Sequence, residues 1–180
     1  MDFEVQKSFR RFWLPQDSMV TCWAACATML MAYKANTLLM ENQVLSGPAL
    51  AAFQNKQILP MSQVQNFFKN TMGFLEEPLT LGTPYQVDKL KEMMTRFGPL
   101  IVSAPVMGTR STHVRVLYGI WGRGSNDDGS QYKVFDPAGI GDGSGGTLND
   151  LRILYTHFNY QLEEAFARQG SGVIWHLPSS

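Results

Sequence analysis

The sequence predicts an α+β domain, with helices gathered in the first half of the chain and strands in the second. Three observations carry this. The run Cys22-Trp-Ala-Ala-Cys-Ala-Thr-Met-Leu-Met-Ala-Tyr33 is apolar on nearly every face, residues 22–97 otherwise read as helices and turns, and residues 98–136 read as strands. Helices followed by strands is the α+β pattern, whereas a parallel sheet would need the two to alternate.

The elements follow in order. A helix that is apolar all round is a buried one, and Thr21 is placed to cap its start with a hydroxyl. A linker rich in Asn, Gly and Pro comes next. Ser62-x-x-Gln65 has the form of a capping box, which predicts a helix to about Thr71 with Gly73 as its stop. Thr83-Pro84-Tyr85-Gln86 repeats the signal with Pro at the first helical position, and that helix should end at Gly98-Pro99. Leu100–Ala104 is a short buried strand, His113–Trp121 a longer one, and Gln131–Asp136 a third that Pro137 terminates. The segment 122–130 is a loop by composition. Residues 139–146 are Gly-rich and read as a loop beside the functional site. A helical region is expected from Thr147 to about Arg168, and Ser171–Leu177 as a closing strand.

At 180 residues, the chain is one ordinary domain and can bury most of its apolar surface. The charged share is 17% and the apolar share 44%, which argues against disorder. Fifteen basic residues balance fifteen acidic ones. Without a basic block, phosphate-backbone binding is a poor prospect, so no nucleic-acid partner is expected. There is no apolar run long enough for a membrane span. The first seven residues lack the basic-then-apolar pattern of a secretory signal, so the chain is expected to be cytoplasmic as synthesised. Cys22 and Cys26 are the two cysteines. On one helix they stand roughly 6 Å apart with side chains running parallel, which disfavours a disulfide and suits a reducing compartment. Neither a Cys-x-x-Cys pair nor clustered histidines occur, so no metal or cofactor is expected. Arg110, Arg115 and Arg123 follow the burial habit of arginine and read as solvated surface charges.

Cys22 is the residue with chemical promise. A helix N-terminus carries roughly half a positive charge, which favours thiolate over thiol, and a thiolate is the nucleophile that amide chemistry needs. The competing reading is a buried core thiol, and Cys26, one turn deeper, is read that way. Gln16 stands six residues before Cys22, where its amide and the Cys22 backbone N–H would make a two-donor oxyanion hole. His113 opens a strand and is the candidate base. Asp136 ends the next strand, and the midpoint between 113 and 136 falls between Gly124 and Ser125, inside the expected loop. The hairpin therefore brings carboxylate and imidazole together within a residue or two of register. Asp136 would hold the ring's tautomer and stabilise the imidazolium. His157 reads as a helix-surface residue and His176 as part of the closing strand.

Gln16-x5-Cys22-Trp23-Ala24, then a late His, then Asp, resembles the papain-like cysteine peptidases. Gly98-Pro-Leu-Ile-Val102, His113-Val-Arg-Val-Leu-Tyr-Gly119 and Val134-Phe-Asp-Pro137 are similar to compact bacterial members, among them bacteriocin-leader peptidases and injected effector peptidases. The resemblance covers about residues 14–137. It implies the papain-like fold, a helical lobe packed on a small antiparallel sheet with the active site between them, as one catalytic domain over residues 1–180. The helical lobe would take about 14–97 and the β-rich lobe about 98–180. It also implies Gln16 as oxyanion donor, Cys22 as nucleophile, His113 as general base and acid, and Asp136 as orienter. The chain departs from the plant-type pattern in having Val20-Thr21 before the nucleophile, Asp in place of Asn, and no Trp after Asp136.

The expected function is peptide-bond hydrolysis in proteins through a thioester acyl-enzyme, as a bacterial effector or toxin. No inhibitory propeptide is evident, so either export by a specialised secretion route or a tight inhibitory or immunity partner is expected. Two other readings stay open: a papain-like peptidoglycan amidase or endopeptidase, and an inactive module used for binding.

Overall fold

The computed structural model describes residues 3–4, 9–18, 20–80, 82–122, 129–138 and 149–179, with the backbone alone for 3–4 and 149–150. The buried apolar run forms helix α1, Cys22–Ala35, as the sequence predicts. Short helices α2 (Glu41–Val44) and α3 (Gly47–Gln54) follow within the expected linker. Helix α4, Met61–Asn66, continues through a wider π-type turn at Phe67–Thr71. Helix α5 is Val87–Phe97 and α6 is Tyr155–Gln169. The strands are β1 (Phe3–Glu4), β2 (Leu75–Glu77), β3 (Leu100–Pro105), β4 (Thr112–Gly122), β5 (Ser130–Asp136), β6 (Asn149–Leu154) and β7 (Ile174–His176).

All strand pairs among the described residues are antiparallel, in the order β2-β7-β3-β4-β5-β6. Strand β1 pairs with Gly119–Ile120 of β4, beyond the point where β3 ends opposite Leu117. The fold is mixed α+β, as predicted.

The sheet separates two cores. On one face Ile101, Val114, Val116, Tyr118 and Phe135 pack against α1. On the other, Val102, Leu117, Ile120, Tyr132 and Val134 pack against α5 and α6. Even-numbered β4 residues face α1 up to Tyr118, yet Ile120 joins the opposite core. A β-bulge between Leu117 and Gly119 accounts for this, because one extra residue on one strand reverses the alternation that follows it.

Several local expectations give way to tertiary structure. Thr21 precedes α1 but does not cap it. Its hydroxyl accepts from the Ser18 N–H (3.0 Å) and donates to the Ser18 carbonyl (3.1 Å). Ser62 starts no capping box either: the helix begins one residue earlier after Pro60, and the Gln65 amide donates to the Ser171 carbonyl at 2.8 Å. Residues 83–86 stay outside α5, where the Tyr85 N–H donates to Asn159 of α6 at 2.8 Å. The helix expected from Thr147 begins at Tyr155, because 149–154 pair with β5 as β6. The closing strand shrinks to three residues. The Gly-rich stretch 139–146 and most of the expected hairpin loop, 123–128, lie outside the described residues. Gly98 does stop α5, at φ 84, and a Cβ there would stand 2.4 Å from the Tyr33 ring of α1. Glycine is thus required for both the left-handed turn and the close approach.

Candidate active site

Cys22 is the first residue of α1, held where the helix emerges from the core and partly open to solvent. Behind it, Trp23 to Leu30 are buried, and Trp23 meets Phe67 edge-on at 5.2 Å between ring centroids. This burial fixes the helix axis and so the position of its first residue. With the Thr21 hydroxyl turned towards Ser18, no side chain of the cap residue competes for the N–H groups of the first turn.

His113 is the second residue of β4 and is paired with Ala104 of β3. Asp136 is the last residue of β5 and accepts a bond from the Ala138 N–H at 2.9 Å, which orients its carboxylate. The register runs Val116 opposite Phe135 and Leu117 opposite Val134, so its continuation sets Asp136 against Arg115. His113 is therefore the diagonal neighbour on the same face, within reach of a long side chain. The His113 Nε2–Asp136 Oδ1 separation is 2.6 Å, with the side chains 18% and 13% exposed. The sequence midpoint places the partners directly opposite, and the structure offsets them by two residues along the strand.

The His113 ring also hydrogen-bonds the Cys22 sulfur. Since Nε2 is engaged by Asp136, Nδ1 is the nitrogen left for the thiol. Burial pushes the Cys22 thiol up, but the His113 charge, the bond from the ring and a backbone bond from Val114 outweigh it and hold the pKa below the usual thiol value. Burial pushes His113 down, and this too is outweighed, chiefly by the Cys22 charge and the Asp136 bond, so that His113 rises to about 10. Burial opposes ionisation of Asp136, yet the His113 bond and charge, the Ala138 N–H and Arg115 keep it below the ordinary carboxylate range. All three shifts run in the same direction, towards a thiolate, an imidazolium and a carboxylate in a row.

Gln16 is 2% exposed. The chain before it is anchored to the sheet by Phe9, which stacks on Tyr118 and Phe135 with centroids 5.8 and 5.7 Å away. The segment that follows ties the Gln16 N–H to the carbonyl of Pro137 at 2.9 Å, one residue past Asp136.

Cys22 and His113 open onto a cleft of about 620 Å³. One wall is Ile58–Ser62 with Val64 and Gln65; the other is Val106, Thr109–Val114 and Arg168. Among the described residues no group of His, Cys, Asp and Glu could hold a metal ion, and no helix is long and apolar enough to cross a membrane.

The family model of the papain-like cysteine protease AvrRpt2 matches residues 8–149. The chain belongs to that family. It is a papain-like cysteine protease, a hydrolase acting on protein. No curated protein sequence matches the chain.

Sequence reasoning misses three residues at the candidate site of this papain-like protease. Arg115 is 6% exposed, not a solvated charge: its Nη2 donates to Gln161 of α6 at 2.5 Å, and its charge acts on Asp136. Its place directly after His113-Val is the signal, because a residue two along a strand shares the face of the first. Arg110 is exposed, on the cleft wall; Arg123 lies outside the described residues. Val114 supports Cys22 through its backbone, which no side-chain motif reveals. Arg168, the third, is tied to the cleft wall by hydrogen bonds. His157 is exposed on α6 and His176 closes β7, as read from sequence.

Proposed function

We propose that the protease cleaves peptide bonds with Cys22 as nucleophile, His113 as general base and acid, Asp136 as orienter, and Gln16 with the Cys22 backbone N–H as the oxyanion hole. The Cys22 thiolate adds to the substrate carbonyl carbon, and the carbonyl oxygen takes the negative charge between the two donors. His113 passes its proton to the departing amine as the C–N bond breaks, leaving a thioester on Cys22. Neutral His113 then takes a proton from water, whose oxygen attacks the thioester. The S–C bond breaks, the acid product leaves, and the thiolate–imidazolium pair returns. Asp136 keeps the imidazolium stable through both halves.

The observation that carries this reading is the contact of one ring with both the sulfur at a helix start and a carboxylate at 2.6 Å, on a cleft. The whole chain is read as a single catalytic domain. The proposed setting is that of a bacterial effector or toxin, made in the cytoplasm and either exported by a specialised route or restrained by a cognate inhibitor. The test is cleavage of fluorescently labelled, unfolded casein by the wild type and by Cys22→Ala. Cleavage by the wild type alone is expected; equal turnover by both would overturn the assignment. Expression in the cytosol should be toxic only with Cys22 intact.

A further inference from the structure

The β3–β4 turn is the cleft wall nearest His113, and burial does not hold it. Residues 106–111 are all exposed, Met107 at 86%. Hydrogen bonds alone give the turn its shape: Val106 N–H to the Ser111 carbonyl at 3.0 Å, Thr109 N–H to the Val106 carbonyl at 3.2 Å, and Ser111 N–H to the Thr109 hydroxyl at 3.0 Å. A turn of this kind opens readily unless something ties it to the body of the protein.

Arg168, in the last turn of α6, is that tie. Its Nη1 donates to the carbonyls of Val106 (3.2 Å), Thr109 (2.8 Å) and Ser111 (3.0 Å). Its Nε and Nη2 donate to Glu164 at 3.0 and 2.9 Å, one helical turn back, which fixes the plane of the guanidinium. The base of the tie is itself anchored, since the Gln169 amide donates to the carbonyls of Ser171 and Gly172, each at 2.9 Å. Val106, Thr109, Ser111 and Arg168 all line the cleft. His113, by contrast, is held by strand pairing to Ala104 and by Asp136, neither of which involves Arg168.

We propose that Arg168 is a positioning residue for substrate, which clasps the 106–111 turn into the wall that the peptide chain lies against, and that Glu164 aims it. This rests on the peptidase reading of the same cleft. Carbonyls on Nη1 and a carboxylate on Nε and Nη2 together use the full spread of the guanidinium's donors. A lysine ammonium offers three donors but is shorter and loses the two-point contact with Glu164. The clasp therefore governs substrate binding, and the sulfur–imidazole pair is independent of it.

The test uses the full chain with Arg168→Ala and Arg168→Lys, read by casein-peptide kinetics, iodoacetamide alkylation of Cys22 across pH, and hydrogen exchange of the turn amides. For Arg168→Ala the expected result is KM up about tenfold, kcat within about twofold, an unchanged alkylation profile, and faster exchange at Val106, Thr109 and Ser111. Arg168→Lys should fall between the two. Unchanged KM and exchange would overturn the clasp, as would kcat and alkylation falling together, which would place Arg168 in support of the triad. If the wild type cleaves no peptide, the peptidase reading fails by itself, and turn exchange in Arg168→Ala still decides whether the clasp exists.

Discussion

Cys22 and Cys26 lie one turn apart on α1, yet the two turns give them opposite chemistry. Cys26 is fully buried, its Sγ donates to the Val114 carbonyl at 3.4 Å, and burial together with the charge on Cys22 raises its pKa well above that of a free thiol. At Cys22 burial acts in the same direction, but His113 and the backbone bond from Val114 reverse it. One residue of β4 thus serves both sulfurs. Its carbonyl suits the protonated thiol of Cys26, and its backbone bond to Cys22 suits a thiolate. The difference teaches that burial alone holds a thiol protonated on this helix, and that the strand end meeting the first turn reverses it.

Breaking the comparison at its active end has the largest expected effect. Cys22→Ala should lower kcat/KM by about 10⁴-fold or more, with His113→Ala close behind, because residues that act as a unit each cost most of the activity. Cys26→Ala should leave turnover within about twofold and cost about 1 kcal/mol of stability, read from the denaturant midpoint.

Asp136→Asn should come next, lowering kcat by about 10²–10⁴-fold through loss of the oriented, charged partner. It should also change the pH profile. His113 stands at about 10, above its ordinary value of 6.5. A raised histidine stabilises the fold fully below 6.5 and loses that contribution as pH climbs through about 10. Removing the carboxylate charge lowers His113, so the alkaline limb of kcat/KM should move to lower pH. An unmoved limb would show that Asp136 does not act on the ring. Gln16→Ala should lower kcat by about 10²–10³-fold while leaving the rate of Cys22 alkylation at wild-type level. A parallel fall in alkylation would mean that Gln16 supports the thiolate instead of the oxyanion.

The fold class, and the residues that make up the candidate site, were legible because each left a local signature. An apolar helix announced α1, a strand ending in Asp-Pro announced β5, and a loop midpoint related His113 to Asp136. What stayed hidden depended on partners distant in sequence. Thr21 and Gln65 both carry good capping chemistry, but Ser18 and Ser171 offer them better bonds. Residues 149–154 read as helix because nothing local reveals that β5 needs a strand on its free edge. Arg115 reads as a surface charge, since arginine is usually exposed, and Arg168 only as the end of a helix; their amide, carboxylate and carbonyl partners come from other elements or earlier turns.

The most direct measurement is site-resolved iodoacetamide alkylation of the two cysteines across pH, in the wild type and in His113→Ala. Cys22 should react with a midpoint below that of a free thiol, move upward when the imidazole is removed, and outpace Cys26 at every pH. If Cys22 instead titrates like an ordinary thiol in both chains, the ion pair does not exist and the proposed chemistry is wrong.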